Sequence, residues 1–378
     1  MKMLRRRPVR IIAWNLGIAI ALLVLVELAM GNWFRDDPLR PLAIPRDVSW
    51  RYEIDYPGIR EDDRAVHYVR DRYGLRGNYG RPAEIDILTV GGSTTDQRFV
   101  TEVRTWQDVL MTEFRKVGLD IRVANAGING RTTYGHLHDF DLWFPRIEGL
   151  APAWVVLYVG INDMFADRPT RYDSANRRDE SPWRHVRDNS VILETWRTLS
   201  GMLRARRFEL AGATIDHAGG EWTTKPLMSG HRERMAERIA GFRARLAALL
   251  DRVERMGATP IVVTQPRGDS RIVDGEVVGL ADTRPRAYLN VRDPIMGVLR
   301  PGTANGVDYH LMLEPFNEAS LEICRRAGGV CIDLAGELRF EAGDFYDHAH
   351  TTAAGSRRIG EYLFDKLAPV LAGGAERG

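Results

Sequence analysis

Ser93 follows two glycines, and Asp347 stands three residues before His350 near the C-terminus. These residue types fit acyl transfer by an activated hydroxyl. That chemistry needs a base for the serine proton, an acid to orient the base, and N–H donors for the developing oxyanion. Ser93, after Gly91-Gly92, can sit at a tight turn with its oxygen exposed and its own N–H aimed at the reacting carbonyl. His350 is the candidate base, and Asp347 can reach the far imidazole nitrogen and hold the useful tautomer. Gly130 offers a backbone N–H with no side chain in the way, and Asn162 offers a side-chain amide. Blander readings stand beside these. Ser93 in a Gly-rich turn also fits a helix N-cap, and Asn162 and Asp163 fit turn or capping residues. His348 is an alternative base, with Asp344 four residues before it. His136 and His138 invite a metal, but residues two apart point away from each other on a helix and no third ligand is evident. Neither a metal nor a cofactor is expected.

Residues so far apart in the chain need a scaffold that gathers strand ends. Five short apolar runs follow Pro82, at 85–90 (IDILTV), 121–124, 154–159 (WVVLYV), 260–264 (PIVVT) and 330–334 (VCIDL). Helical patterns lie between them. Trp106, Leu110 and Phe114 recur at steps of four, and Met235, Ile239, Phe242, Leu246, Leu249 and Val253 form one stripe. The alternation predicts a three-layer α/β/α fold whose five-stranded parallel sheet is covered on both faces. Ligands bind such sheets at the carboxyl ends of the strands. The clusters at 91–95, 125–132, 160–163 and 344–355 lie past the ends of the first, second, third and fifth predicted strands.

In this order, the four clusters resemble the four sequence blocks of the SGNH (GDSL-type) hydrolase family, over about residues 83–372. The family's serine block is usually Gly-Asp-Ser and here reads Gly91-Gly92-Ser93, a departure that recurs in membrane-anchored relatives. Its glycine block resembles 125–132, which puts the oxyanion glycine on Gly130 and not on the neighbouring Gly127. The Gly-x-Asn-Asp block matches 160–163, and the Asp-x-x-His block matches Asp347 and His350. The resemblance implies an SGNH/flavodoxin-like fold with Ser93, Asp347 and His350 as catalytic triad and Ser93, Gly130 and Asn162 as oxyanion hole.

Residues 1–10 carry Lys2, Arg5, Arg6, Arg7 and Arg10 and no acid, and residues 11–30 read IIAWNLGIAIALLVLVELAM. About twenty apolar residues cross a bilayer as one helix. The basic flank predicts a cytoplasmic N-terminus in the cell inner membrane, with everything after Gly31 periplasmic or extracellular. A cleaved signal peptide is an alternative, with Ala29-Met30-Gly31 as a loose cleavage site, although the run exceeds the usual ~7–15 residues. A buried core helix is another. The expected organisation is a basic tail and transmembrane anchor over 1–35, a linker and short strand-like lobe over 36–82, and the hydrolase domain over 83–372. Cys324 and Cys331 could close a disulfide in an oxidising compartment or remain two buried thiols.

The 378 residues are 44% hydrophobic and 28% charged, with net charge +2, which is ordinary for a globular protein. Arginines are scattered among acids, so no nucleic-acid partner is expected. The leading expectation is a serine ester hydrolase working on O-acyl groups of glycan or lipid outside the cytoplasmic membrane. An O-acyltransferase modifying exported polysaccharide, served by a membrane-bound acyl donor, is the alternative. A non-catalytic glycan-binding scaffold is the third, and its mark would be loss of a triad or oxyanion residue. The segment 165–225 is longer than one crossover needs. With Trp183, Trp196, Phe208 and Trp222 it fits a lid or substrate wall, or helices packed on the domain's own side.

Overall fold

In a computed structural model of the chain the apolar runs pair side by side, all parallel. The structure describes residues 6–34, 37–56, 58–176, 181–203, 206–209, 217, 219–281 and 304–375. Lys2, Arg5, Pro57 and stretches of the 165–225 segment lie outside the described residues. In chain order the strands are β1 Val48–Asp55, β2 Ala65–Arg70, β3 Ile87–Gly91, β4 Val123–Asn125, β5 Trp154–Tyr158 and β6 Arg206–Glu209. They continue with β7 Trp222–Thr223, β8 Thr259–Val263, β9 Ser270–Val273, β10 Glu276–Leu280 and β11 Val330–Ile332.

The central sheet has the order β11-β8-β5-β3-β4. Its register aligns Val330, Ile261, Val156, Thr89 and Asn125 in one row. Successive side chains on a strand point to opposite faces, and both faces are dry. Ile87, Val156 and Ile261 pack under helices Trp106–Lys116 and Ala353–Ala375, while Leu88, Val155 and Val262 pack under Phe242 and Phe316 of helices His231–Arg255 and Gly306–Arg326. The five-stranded α/β/α expectation is therefore met. Strand edges shift by a residue or two for local reasons. The last strand stops at Ile332 because the Asp333 carboxylate accepts the Gly336 N–H (3.1 Å) and the Thr264 hydroxyl (2.8 Å), starting a short helix.

Two smaller sheets flank this frame. β1 pairs antiparallel with β2 and parallel with β6, while β10 pairs antiparallel with both β7 and β9. Tyr52, Ile54, Val66 and Tyr68 of the first sheet, with Tyr56 just past β1, cluster with Tyr346, four residues before His350. Cys324, at the end of its helix, is disulfide-bonded to Cys331 of β11, with Cα atoms 5.8 Å apart. Of the two readings left open for this pair, the structure contains the disulfide. Helix Arg6–Met30 has its large apolar side chains exposed from Ile11 to Met30, and its Arg10–Met30 portion is long and apolar enough to cross a membrane.

Candidate active site

Ser93 opens the short helix Ser93–Asp96 directly after β3. The cap position belongs to Gly92, so Ser93 is the first helical residue and not the cap. Its Oγ lies 2.6 Å from His350 Nε2. On the other side of the ring, His350 Nδ1 lies 2.7 Å from Asp347 Oδ2. Asp347 Oδ1 also accepts the backbone N–H groups of Ala349 (2.9 Å) and His350 (2.8 Å). Asp347 is buried, while Ser93 and His350 are half-buried.

These contacts set the charges. Burial alone would raise the Asp347 pKa, but the neighbouring His350 and the hydrogen bonds outweigh it, holding the carboxyl well below its usual range. Burial opposes protonation of His350, and the Asp347 charge and hydrogen bond outweigh that in turn, raising its pKa above the ordinary 6.5. The Tyr346 ring stacks on the imidazole, with centroids 5.7 Å apart and planes 11° apart. The alternative pair is not assembled. Asp344 accepts the Glu341 N–H (2.7 Å) and meets Arg358 Nε at 2.9 Å, and burial pushes the His348 pKa down.

Of the expected oxyanion donors, Asn162 reaches the serine turn. A Cβ on Gly92 would lie 2.4 Å from Asn162 Nδ2, so only glycine lets that amide approach the nucleophile turn. Asn162 makes no capping bond; its Nδ2 donates to Arg131 O at 2.8 Å, which joins the loops after β4 and β5. Gly130 has φ +77°, a left-handed conformation natural to glycine, and lies against the Tyr172 ring. The backbone N–H groups of Ser93 and Gly130 have no acceptor among the described residues.

Several residues support the site through partners that the sequence does not name. Asp163, which by sequence fits a turn or capping residue, is a buried strut that accepts the Thr133 N–H (3.2 Å) and Arg245 Nη2 (3.2 Å). Burial raises its pKa. Gln265 accepts the Ile161 N–H (2.6 Å) and donates to Thr94 Oγ1 (2.9 Å), tying the Asn162 loop to the serine turn. Arg70 of β2 reaches beneath that turn. Its Nη2 meets Asp96 Oδ1 at 2.6 Å and also donates to Gly127 O, while Tyr68 donates to Asp96 Oδ1 at 2.9 Å. Burial would raise the Asp96 pKa, but Arg70, Arg76 and Arg98 outweigh it and keep the carboxylate below its usual value. A signal for Arg70 existed, because the period of two in β2 places it on the same buried face as Val66 and Tyr68. His136 Nδ1 meets Asp139 Oδ2 at 3.0 Å inside the protein, while His138 is exposed, so the two do not face a common centre.

A Ser–His–Asp hydrogen-bonded chain at the strand ends of an α/β/α sheet is an arrangement that acyl transfer by an activated serine can use. Residues 89–358 match the model of the GDSL-like lipase/acylhydrolase family, and the chain belongs to that family and is a carboxylic ester hydrolase. A sequence comparison with curated proteins finds no match. Among solved structures the chain is similar to TesA, with 17% identity and TM-score 0.40 over 75% of this chain and 98% of that one. It is also similar to a catalytic mutant of Axe2, an acetylxylan esterase from Geobacillus stearothermophilus (12%, TM-score 0.38, 74% and 93%). A third is the psychrotrophic esterase EstA from Pseudoalteromonas sp. (12%, TM-score 0.40, 76% and 98%).

Proposed function

We propose that the protein hydrolyses carboxylic esters through an acyl-enzyme on Ser93, outside the cytoplasmic membrane. The observation that carries this reading is the continuous hydrogen-bonded chain from Asp347 through His350 to Ser93 Oγ. Ser93 Oγ attacks the acyl carbon while His350 Nε2 takes the hydroxyl proton and then hands it to the departing alkoxide. Water, deprotonated by the same nitrogen, attacks the acyl-enzyme and releases the acid and free Ser93. Asp347 holds Nδ1–H and stabilises the imidazolium that forms between these steps. Ser93 N–H, Gly130 N–H and the Asn162 amide receive the oxyanion, a role supported by the two backbone donors having no acceptor among the described residues.

Location rests on the apolar helix and its basic flank, read as a single-pass anchor with a cytoplasmic N-terminus. The Cys324–Cys331 disulfide supports an oxidising compartment for the rest of the chain. O-acyl groups of glycan or lipid are the esters available there. The test is turnover of esters of graded chain length by the wild type and by Ser93→Ala, with and without a glycan acceptor. Hydrolysis by the wild type and a loss of several orders of magnitude in the variant are expected. Undiminished turnover by Ser93→Ala refutes the mechanism, and faster acyl transfer to the glycan than to water replaces hydrolysis by O-acyl transfer.

A further inference from the structure

Glu27 is the only acid in residues 11–30, and its carboxylate is fully engaged. It accepts the backbone N–H groups of Val191 and Ile192, both at 3.1 Å, the Trp33 indole N–H at 3.1 Å, and the Ser190 hydroxyl. The acid thus caps the N-terminus of helix Val191–Leu203, where negative charge is favoured. The Asn32 N–H adds a bond to Asn189 O at 2.9 Å. The catalytic body is fastened to the last turn of the apolar helix and does not trail from it.

Helix Val191–Leu203 has two unlike faces. Gly201 packs on β1, where a Cβ would lie 2.4 Å from Ser49 O. On the opposite face Ile192, Trp196, Leu199 and Leu203 follow at steps of four, three and four and remain exposed, Trp196 by 64% and Leu203 by 81%. Helix Pro182–Asn189 adds exposed Trp183 and Val186. An apolar patch of this kind is not left to water without a reason.

We infer that this stripe is a second membrane attachment, seated in the interface between headgroups and acyl chains of the bilayer that helix Arg6–Met30 enters. Lipid is the occupant because the stripe begins at the residues held by Glu27, which lies in the last turn of a span whose own apolar side chains are exposed. Tryptophan is enriched at this level of membrane proteins. The inference rests on the proposed reading of the helix as a retained anchor. It also gives the attachment a use. β1 carries this helix and leads into Tyr56, which packs on Tyr346; Tyr346 stacks on His350, so the catalytic ring is held at a fixed height and orientation above the bilayer.

The test uses the full chain in vesicles of phosphatidylethanolamine and phosphatidylglycerol. Cysteines introduced one at a time, as Leu199→Cys, Leu22→Cys and the exposed control Val117→Cys, carry an environment-sensitive fluorophore while the Cys324–Cys331 disulfide stays oxidised, and ester turnover confirms that each variant is folded. Quenching is read with lipids spin-labelled at shallow or deep acyl positions. The expected result is several-fold stronger quenching of L199C than of V117C by shallow labels, and of L22C by deep labels. Quenching of L199C no greater than V117C, with L22C quenched, overturns the attachment and leaves the anchor standing. An unquenched L22C defeats the anchor reading and the attachment with it.

Discussion

Gln97 and Thr351 join the two halves of the candidate site: Gln97 Nε2 donates to Thr351 Oγ1 at 3.0 Å, next to His350 and four residues past Ser93. The same amide donates to Ser356 Oγ, and its oxygen accepts the Trp106 N–H at 2.8 Å. Gln97→Ala leaves these buried partners unsatisfied, a cost of about 1–3 kcal/mol. The expected outcome is a lower urea midpoint and a lower kcat with KM little changed, because the Ser93–His350 alignment loosens. A changed KM at constant kcat would place Gln97 in substrate binding.

Asn162→Ala removes one proposed oxyanion donor, and a fall in kcat of about 10²–10³ is expected. The Arg131 O bond is lost with it. Gln at this position keeps the amide but moves it, so it should recover little activity if geometry is what matters. Steady-state kinetics on one soluble ester separates the cases, since a rise in KM alone would make Asn162 a ground-state contact.

His350 must be neutral to act as base, so kcat/KM should fall as pH drops through its folded-state pKa, above the ordinary 6.5. Asp347→Asn removes the charge that raises this pKa, and the acid limb should move down together with a large loss of rate. Stability runs by a different rule. The raised His350 pKa contributes stability that is full below about 6.5 and lost as pH rises through the folded value. The depressed Asp347 pKa contributes stability above about 3.9 that is lost as pH falls through its folded value. Wild type and D347N should therefore differ most in melting temperature between those limits, and a constant difference across pH would contradict the coupling.

Arg70→Leu buries Asp96 without its closest cation. Removing one partner of a buried pair costs about 3–5 kcal/mol. Denaturant unfolding of R70L should show that loss, and the double variant Arg70→Leu with Asp96→Asn should recover part of it. Equal destabilisation in both would mean that the Gly127 O bond, not the charge pair, is what Arg70 supplies.

The parts of this arrangement that can be read from the sequence are those that local chemistry specifies. Short apolar runs before Ser93, Asn125, Gly160 and Asp333 mark strand ends, and the helical stripe through Phe242 and Leu246 marks a covering layer. What stays hidden depends on distant pairing. β1 meets β6 across more than a hundred residues, and no periodicity in either strand names its partner. The alternation in β2 puts Arg70 on the buried face, but nothing local names Asp96 as its partner. Gln97 and Gln265 carry no motif, because an amide becomes a strut only when the loops it bridges are already close. Spacing alone left Cys324 and Cys331 undecided for the same reason.

The most direct measurement is the mass-mapped site of a fluorophosphonate adduct on the purified full chain. Such a probe needs a serine whose hydroxyl is activated by its neighbours, which is the property assigned to Ser93. The expected result is one adduct on the peptide carrying Ser93, absent in Ser93→Ala and strongly slowed in His350→Ala. An adduct on another serine, or unchanged labelling of Ser93→Ala, would contradict the proposed mechanism at its centre.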